Sequence, residues 1–162
     1  MSWMINKYKI AKKITYKGQK YDSEKELKFY QRYLESLGDR VLNHPTYVVR
    51  DSYTLGGYKG RKRTYSPDFV VLAPDGTIEH VYDVKAGITE KTLKSGQTSG
   101  KVYIDASMKK SVDDFQRKYN HPVELVAVYA HDFRMTIINT TVPVGVYHFT
   151  NVDYDVTEII GE

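Results

Sequence analysis

The sequence contains no cysteine, and this absence excludes disulfide scaffolds, thiolate zinc sites and cysteine nucleophiles. It also has no run of about 18 apolar residues, so no transmembrane helix is expected. The first residues, Met1 to Lys7, lack the apolar stretch of a secretory signal. We therefore expect a cytoplasmic protein without a membrane partner.

Two signatures of common enzyme classes are also missing. No glycine-rich loop is followed by Lys-Ser or Lys-Thr, so nucleotide hydrolysis is not indicated. The five histidines do not show the spacing of metal ligands on one element, and we interpret them as surface or packing residues. They are His44, His80, His121, His131 and His148.

Acidic residues are absent from positions 1–20, which carry six lysines, Lys12 and Lys13 among them. A second basic cluster follows a glycine-rich hairpin tip and consists of Lys59, Arg61, Lys62 and Arg63. Such clusters are typical of polyanion contacts, although a solvated, solubilising surface is the alternative. The length of 162 residues suits one domain. We place it at 21–162, after a basic N-terminal arm at 1–20.

Hydrophobic periodicity and turn signals predict the order of elements along the chain. The predicted elements are a helix at 23–37, a hairpin of strands at 65–72 and 78–85, a helix at 102–119, a strand at 124–129, and an added C-terminal hairpin at 133–138 and 144–149. The polar segment 87–100 is expected to be a mobile connection. This order predicts an α/β fold with a mixed central β-sheet flanked by helices.

Two acids and a lysine interrupt the otherwise apolar strands of the first hairpin. Asp68 follows Ser66-Pro67, and Asp83-Val84-Lys85 lies fifteen residues later. Because side chains alternate along a strand, Asp83 and Lys85 project from one side, and antiparallel pairing can bring Asp68 close to them. Two neighbouring carboxylates repel unless a cation relieves them, and Mg²⁺ prefers oxygen ligands. A structural ion pair with Lys85 is the competing interpretation.

Glu26 adds a third carboxylate to this group. On a helical wheel it falls within the apolar stripe of Leu27, Tyr30 and Leu34, so it points towards the sheet. The pattern from Ser23 to Glu26 is also a capping box, in which Glu26 would fold back on the backbone of Ser23.

These motifs resemble the PD-(D/E)xK nuclease superfamily, and the similarity is closest to the small phage junction-resolving endonucleases, the endonuclease I-like enzymes. The residues that carry it are Ser23-x-x-Glu26, Ser66-Pro67-Asp68-Phe69 and Asp83-Val84-Lys85. The resemblance implies a restriction-endonuclease-like core with the additional C-terminal hairpin outside it. Asp83 stands where many members have glutamate.

The resemblance further implies a metal-dependent DNA endonuclease in which Glu26, Asp68, Asp83 and Lys85 are catalytic. Glu26, Asp68, Asp83 and the carbonyl of Val84 would bind Mg²⁺, with Mn²⁺ able to substitute. Lys109 and Lys110 on the second helix are candidate DNA contacts beside the basic clusters. The expected substrate is branched DNA such as a Holliday junction, cut in recombination by a homodimer in the host cytoplasm of a phage. The alternatives are a restriction- or transposition-type endonuclease, or a catalytically idle DNA-binding module of the same fold.

Overall fold

The computed structural model describes residues 13–140 and 145–161. Within these residues the α-helices are α1 (Glu24–Phe29), α2 (Ala106–Tyr119) and α3 (Val156–Ile160). The strands are β1 (Ile14–Tyr16), β2 (Gln19–Tyr21), β3 (Val41–Asn43), β4 (Tyr47–Arg50), β5 (Tyr53–Leu55), β6 (Tyr58–Gly60), β7 (Arg63–Tyr65), β8 (Phe69–Leu72), β9 (Ile78–Val84), β10 (Thr89–Thr92), β11 (Thr98–Lys101), β12 (Glu124–Val128), β13 (Phe133–Thr136) and β14 (Tyr147–Phe149). None of the helices in this part of the chain is both long and apolar enough to span a membrane.

A six-stranded sheet organises the molecule, in the order β14-β13-β12-β9-β8-β3. The β9–β12 pair is parallel and the other neighbours are antiparallel. Because parallel strands need a crossover connection, the chain passes through α2 between β9 and β12. The prediction of an α/β fold with a mixed central sheet is confirmed.

The first helical segment packs on one face of this sheet. It starts as α1, continues as a π-helical turn over Tyr30–Leu34 and ends as a 3₁₀ segment over Glu35–Arg40. Phe29 is fully buried and makes edge-to-face ring contacts with Tyr82 and Phe133. The predicted helix at 23–37 is therefore present. Gly38 breaks it with a non-helical backbone of φ 58° and ψ −127°.

The predicted hairpin of the two acid-bearing strands is also confirmed. In β8 and β9, Phe69 pairs with Tyr82 and Val70 pairs with Val81. The same antiparallel register places Asp68 opposite Asp83, at the end of the hairpin away from its turn. Strand pairing thus brings together carboxylates that are fifteen residues apart in the chain.

The segment 87–100 is not the connection without strands that its polarity suggested. It contains a hairpin in which β10 pairs with β11 from Thr89 opposite Lys101 to Thr92 opposite Thr98. Threonine is a good strand former, but neither strand has the apolar alternation that would indicate it. The following helix begins at Ala106 instead of 102, because the side chain of Asp105 caps it by accepting a hydrogen bond from the Met108 amide.

At the C-terminal end, β13 and β14 form the predicted antiparallel pair and continue the edge of the central sheet. Their connection at 141–144 lies outside the described residues. The helix α3 was not predicted. It is a single short turn capped by Asp155, too brief to show helical periodicity in sequence.

A long hairpin outside the central sheet, here called the ribbon, spans residues 47–65. The β4–β7 pair forms its base and the β5–β6 pair forms its outer part. Gly56 and Gly57 join β5 to β6 with positive φ angles of 53° and 81°. This is the conformation of a two-residue type I′ turn, which the glycines adopt without a steric penalty.

Candidate active site

Asp68 lies at the point where α1, β3 and β9 approach each other. Its Oδ2 accepts a hydrogen bond of 2.7 Å from the backbone amide of Val84, and its carbonyl accepts one of 3.0 Å from the amide of His44. The Asp68 side chain is only 15% exposed. These backbone contacts hold the carboxylate against β9, beside Asp83.

Glu26 is buried, as the helical wheel predicted, and its carboxylate lies in the same group of side chains as that of Asp68. Ser23 caps the helix by accepting a hydrogen bond from the Glu26 amide. The Glu26 side chain folds back as in a capping box, but its Oε2 accepts from the amide of Asp22, at 3.2 Å, instead of that of Ser23. Its second oxygen, Oε1, lies at hydrogen-bond distance from His44, 2.6 Å from Nε2.

His44 is a site residue that the sequence analysis missed. It follows β3 with a positive φ of 50°, and its ring lies between Glu26 and Asp68, with Nδ1 3.8 Å from the Asp68 carboxylate. One ligand atom from each of Asp22, Glu26, His44 and Asp68 lies within 4.8 Å of the other three. These four residues are called the ligand cluster below.

No sequence spacing could have identified this cluster. Its members lie on α1, on the residue preceding that helix's cap, after β3 and before β8. The sheet brings them together because β3 pairs with β8, with Asn43 opposite Phe69. The positive φ of His44 is the one local feature that marks the position as unusual for a residue other than glycine.

Asp83 and Lys85 lie beside the ligand cluster and contact each other directly. The Lys85 ammonium is 3.2 Å from Asp83 Oδ1 and donates to the sulfur of Met108 at 2.8 Å. Asp83 Oδ2 accepts a hydrogen bond of 2.5 Å from the hydroxyl of Tyr65, at the base of the ribbon. Asp83 and Lys85 therefore share a side of β9 as predicted, although Asp83 is not a member of the ligand cluster.

The electrostatics of the site favour a cation. Burial, followed by the negative charges of Asp83 and Glu26, raises the pKa of Asp68. The hydrogen bond with Glu26 raises the pKa of His44 even though burial opposes it. Burial and the neighbouring Asp83 also raise the pKa of Tyr65, which keeps its hydroxyl protonated as a donor. The site thus holds more carboxylate charge than Lys85 and His44 neutralise.

The predicted DNA contacts lie on three different parts of the chain. Lys59, Arg61 and Lys62 are exposed on the ribbon, and Lys109 and Lys110 are exposed on α2. Lys13 is exposed just before β1, and Lys12 lies outside the described residues, as does most of the N-terminal basic arm. The last residues of that arm belong to the β1–β2 hairpin.

Arg63 differs from the other basic residues of the ribbon. Its Nε lies 3.6 Å from Oδ2 of the buried Asp114 on α2, whose Oδ1 accepts from Arg117 at 3.0 Å. Asp114 therefore anchors the base of the ribbon to α2 through Arg63. A contact from Arg63 to DNA would compete with this ion pair.

Fold and site together define a mixed α/β protein with carboxylates and an imidazole clustered where the first helix meets the central sheet. The chain belongs to the family DUF1064, described as a protein of unknown function, whose model matches residues 5–121. That range contains the ligand cluster, Asp83, Lys85 and the ribbon, and it ends before β12. No curated protein and no solved structure was found to match the chain.

Proposed function

We propose that this protein is a metal-dependent DNA endonuclease with an active site of the PD-(D/E)xK type. The observation that carries the proposal is the convergence of Glu26, Asp68, Asp83 and Lys85 on one end of the β8–β9 hairpin. The Asp68 carboxylate binds the Val84 amide, between Asp83 and Lys85, and the buried Glu26 reaches the same place from α1. Buried carboxylates are costly unless they have a function or a counter-charge.

The arrangement of elements supports a restriction-endonuclease-like core. β3, β8, β9 and β12 are consecutive in the sheet. The segment beginning with α1 packs on one face of them through Phe29, Phe69 and Tyr82. The other face packs against α2 through Phe115, together with Val70 and Val81. In this proposal, β13 and β14 are the C-terminal addition to that core.

The residues present fit a divalent cation. Asp22, Glu26 and Asp68 supply carboxylate oxygens and His44 supplies an imidazole nitrogen, which together are suitable ligands for Mn²⁺ and Mg²⁺. A cation bound there would lower the pKa of a water molecule and neutralise charge on the phosphate oxygens. Relative to the sequence-based proposal, the geometry adds Asp22 and His44 and leaves Asp83 in contact with Lys85.

Two further side chains shape the site for phosphate hydrolysis. The Lys85 side chain is only 16% exposed and its ammonium contacts Asp83 and Met108, so it can donate to a phosphate oxygen or orient a water molecule with little reorganisation. Tyr65 is a positioning residue, since its hydroxyl holds Asp83. The proposed role of Asp83 is to orient Lys85 and to contribute to metal binding from the edge of the cluster.

The proposed substrate is DNA, and branched DNA in particular, cut in recombination by a homodimer with two active sites. Exposed cations on the ribbon and on α2 provide the positive charge that a phosphate backbone requires. The ribbon is connected to the site directly, because β7 ends at Tyr65. Tyr65 donates a hydrogen bond to Asp83, so DNA bound along the ribbon would extend as far as Asp83.

A cleavage panel tests this proposal. The substrates are supercoiled plasmid, linear duplex, flap, fork and four-way junction, each incubated at fixed salt with Mg²⁺, Mn²⁺ or EDTA. We expect metal-dependent cutting with preference for the junction, and its loss in Asp68→Asn. The matched control is Asp113→Asn, because Asp113 is an exposed acid on α2.

The outcomes separate the alternatives. Equal cutting of linear duplex would favour a restriction- or transposition-type enzyme. DNA binding without cutting in any metal would identify an idle binding module. Cutting by Asp68→Asn at the rate of the wild-type protein would refute the assigned site.

A further inference from the structure

The outer part of the ribbon carries apolar side chains that a soluble hairpin would not be expected to expose. Leu55 is 74% exposed, Tyr58 is 64% exposed and Tyr53 is 53% exposed. Since Leu55 pairs with Tyr58 and Tyr53 pairs with Gly60, and side chains alternate along each strand, all three project from one face. Thr54 and Lys59 form the pair on the opposite face.

This apolar face is held in a defined shape. The Tyr53 ring lies across Gly60 so closely that a Cβ on Gly60 would be 2.1 Å from Tyr53 Cε1. The rings of Tyr53 and Tyr58 are 6.0 Å apart, and the Gly56-Gly57 turn places Leu55 and Tyr58 at the tip. A preorganised tip loses less conformational entropy when it binds than a disordered loop does.

The charge of the ribbon identifies the chemistry of its partner. Residues 47–65 contain five basic residues and one acid, Asp51, so the ribbon carries a net charge of +4. The whole chain also has a net charge of +4, so the remaining residues are neutral in sum. Arg50, Lys59, Arg61 and Lys62 line an open groove of about 570 Å³ beside Tyr53 and Tyr58. Two ribbons meeting in a symmetric dimer would repel each other, whereas a polyanion would be attracted.

We infer that the ribbon is a DNA-distorting wedge: its cations hold the phosphate backbone while Leu55 and Tyr58 insert between bases. Apolar side chains inserted at a base step unstack it and bend the duplex, and aromatic rings stack on bases of any sequence. The inference rests on the proposed function only in taking DNA as the ligand. It goes further in assigning a second contact, away from the cleavage site, that recognises deformable or already open base steps.

The connection to Tyr65 limits where the wedge can act. Tyr58 and Tyr65 are seven positions apart in the chain, so the distance between them is at most about 23 Å. At 3.4 Å per base pair, the wedge would contact DNA within about seven base pairs of the cut phosphate. Enzyme-induced distortion should be confined to that distance from the cut.

The test measures binding in EDTA, so that no cleavage is required. The probes are a duplex and a four-way junction containing 2-aminopurine, whose fluorescence rises when it unstacks. The variants are Leu55→Ser, Tyr58→Ser and the double variant Lys59→Ser with Arg61→Ser. The control is Leu93→Ser, since Leu93 is an exposed leucine between β10 and β11. Fluorescence anisotropy gives the affinity at several salt concentrations.

We expect wild-type protein and Leu93→Ser to raise the 2-aminopurine signal. Leu55→Ser and Tyr58→Ser should bind about tenfold more weakly, without the fluorescence rise at saturation and with the same salt dependence. The double lysine–arginine variant should keep the rise at saturation, while the slope of log affinity against log salt falls by about two. This pattern would support the wedge even if no cleavage were found.

Other patterns would overturn it. Wild-type protein that cuts DNA but leaves 2-aminopurine stacked would refute the wedge while the nuclease proposal stands. The wedge is equally refuted if Leu55→Ser behaves as Leu93→Ser does, or if the wild-type protein binds neither probe. A dimer in sedimentation that Leu55→Ser converts to a monomer would instead assign the tip to a contact between copies of the chain.

Discussion

At the scale of single residues, a catalytic role and a structural role predict different outcomes for Lys85. Its ammonium lies between the Asp83 carboxylate and the sulfur of Met108. An ion pair that served only stability would leave cleavage unchanged as long as the fold persisted. A group that stabilises charge on the phosphate would be indispensable to the reaction.

For Lys85→Gln we expect cleavage to fall about 10²- to 10³-fold, since a positioned donor to the reacting phosphate is lost. Thermal melting and metal-free DNA binding should change little, because glutamine can still donate to Asp83. Plasmid nicking measured beside a melting curve checks this, with Lys91→Gln, an exposed lysine on β10, as the control. An active, well-folded Lys85→Gln protein would exclude the catalytic role.

The presence of His44 in the ligand cluster predicts that the site prefers Mn²⁺ to Mg²⁺. Imidazole is a better ligand for Mn²⁺ than for Mg²⁺, which strongly prefers oxygen. We expect His44→Gln to weaken Mn²⁺ binding at least tenfold and to affect Mg²⁺ binding less, as measured by calorimetry without DNA.

The control for this variant is His131→Gln, because His131 is exposed and outside the ligand cluster. Unchanged Mn²⁺ affinity in His44→Gln would remove His44 from the set of metal ligands, whatever its effect on cleavage.

At the scale of elements, Gly60 of the ribbon is needed because the ring of Tyr53 packs against it. Gly60 leaves the space that the Tyr53 ring occupies, and covering a strand glycine by a cross-strand ring is a recurrent way to stabilise such a position. Any larger residue at position 60 must displace the ring and alter the shape of the tip.

Gly60→Ala should therefore weaken DNA binding several-fold while changing the free energy of unfolding by less than about 1 kcal/mol, since the displaced ring is already half exposed. Fluorescence anisotropy and thermal melting measure the two effects. Thr54→Ala, on the opposite face of the same hairpin, is the control. If both variants bind DNA as the wild-type protein does, the position of Tyr53 has no part in recognition.

At the scale of the whole molecule, a buried polar network joins the central sheet to the segment before α3. His80 on β9 lies 2.7 Å from Glu124 of β12 and 2.9 Å from the carbonyl of Val152. Tyr154 donates to the other oxygen of Glu124. Both ring nitrogens of His80 thus face acceptors, so the imidazolium form satisfies the network when Glu124 is ionised.

The pKa of His80 makes this network sensitive to pH. Burial alone would lower that pKa, but the hydrogen bond and charge of Glu124, with the Val152 carbonyl, raise it above the ordinary value. A raised native pKa gives stability that is fully present below the unfolded pKa, about 6.5, and is lost as pH rises through the native value.

We therefore expect the stability advantage of wild-type protein over His80→Gln to shrink as pH rises from 6 to 9 (an interval of about three pH units around and above the unfolded pKa). Burial is the largest cause that lowers the pKa of the nearby His121, which gives the opposite dependence. His121 is present in both proteins, so the part of its dependence that burial causes cancels in the difference. Urea unfolding across this pH range measures it. An advantage that is constant or grows with pH would contradict the assignment of the proton to His80.

Much of the fold followed from local sequence patterns. The turn from Pro74 to Thr77 and the apolar runs around it specified the β8–β9 hairpin, and its register specified that Asp68 faces Asp83. The apolar stripe of the first helix correctly predicted that Glu26 points inward. These features depend on dihedral preferences and on side chains that alternate or repeat along one element, and both are encoded within a few residues.

Only the tertiary structure decided the remaining features. His44 and Asp22 join Glu26 and Asp68 because β3 pairs with β8 under the start of α1, and no periodicity within one element records that pairing. The polar hairpin at 89–101 has too little apolar alternation to be recognised. The helix α2 begins at Ala106, later than the predicted residue 102, because Asp105 caps it there. Glu26, Asp68, Asp83 and Lys85 of the candidate site were thus visible in the sequence. Their partners Asp22 and His44 were not, because sheet order and long-range packing, which no local pattern contains, bring separate elements together.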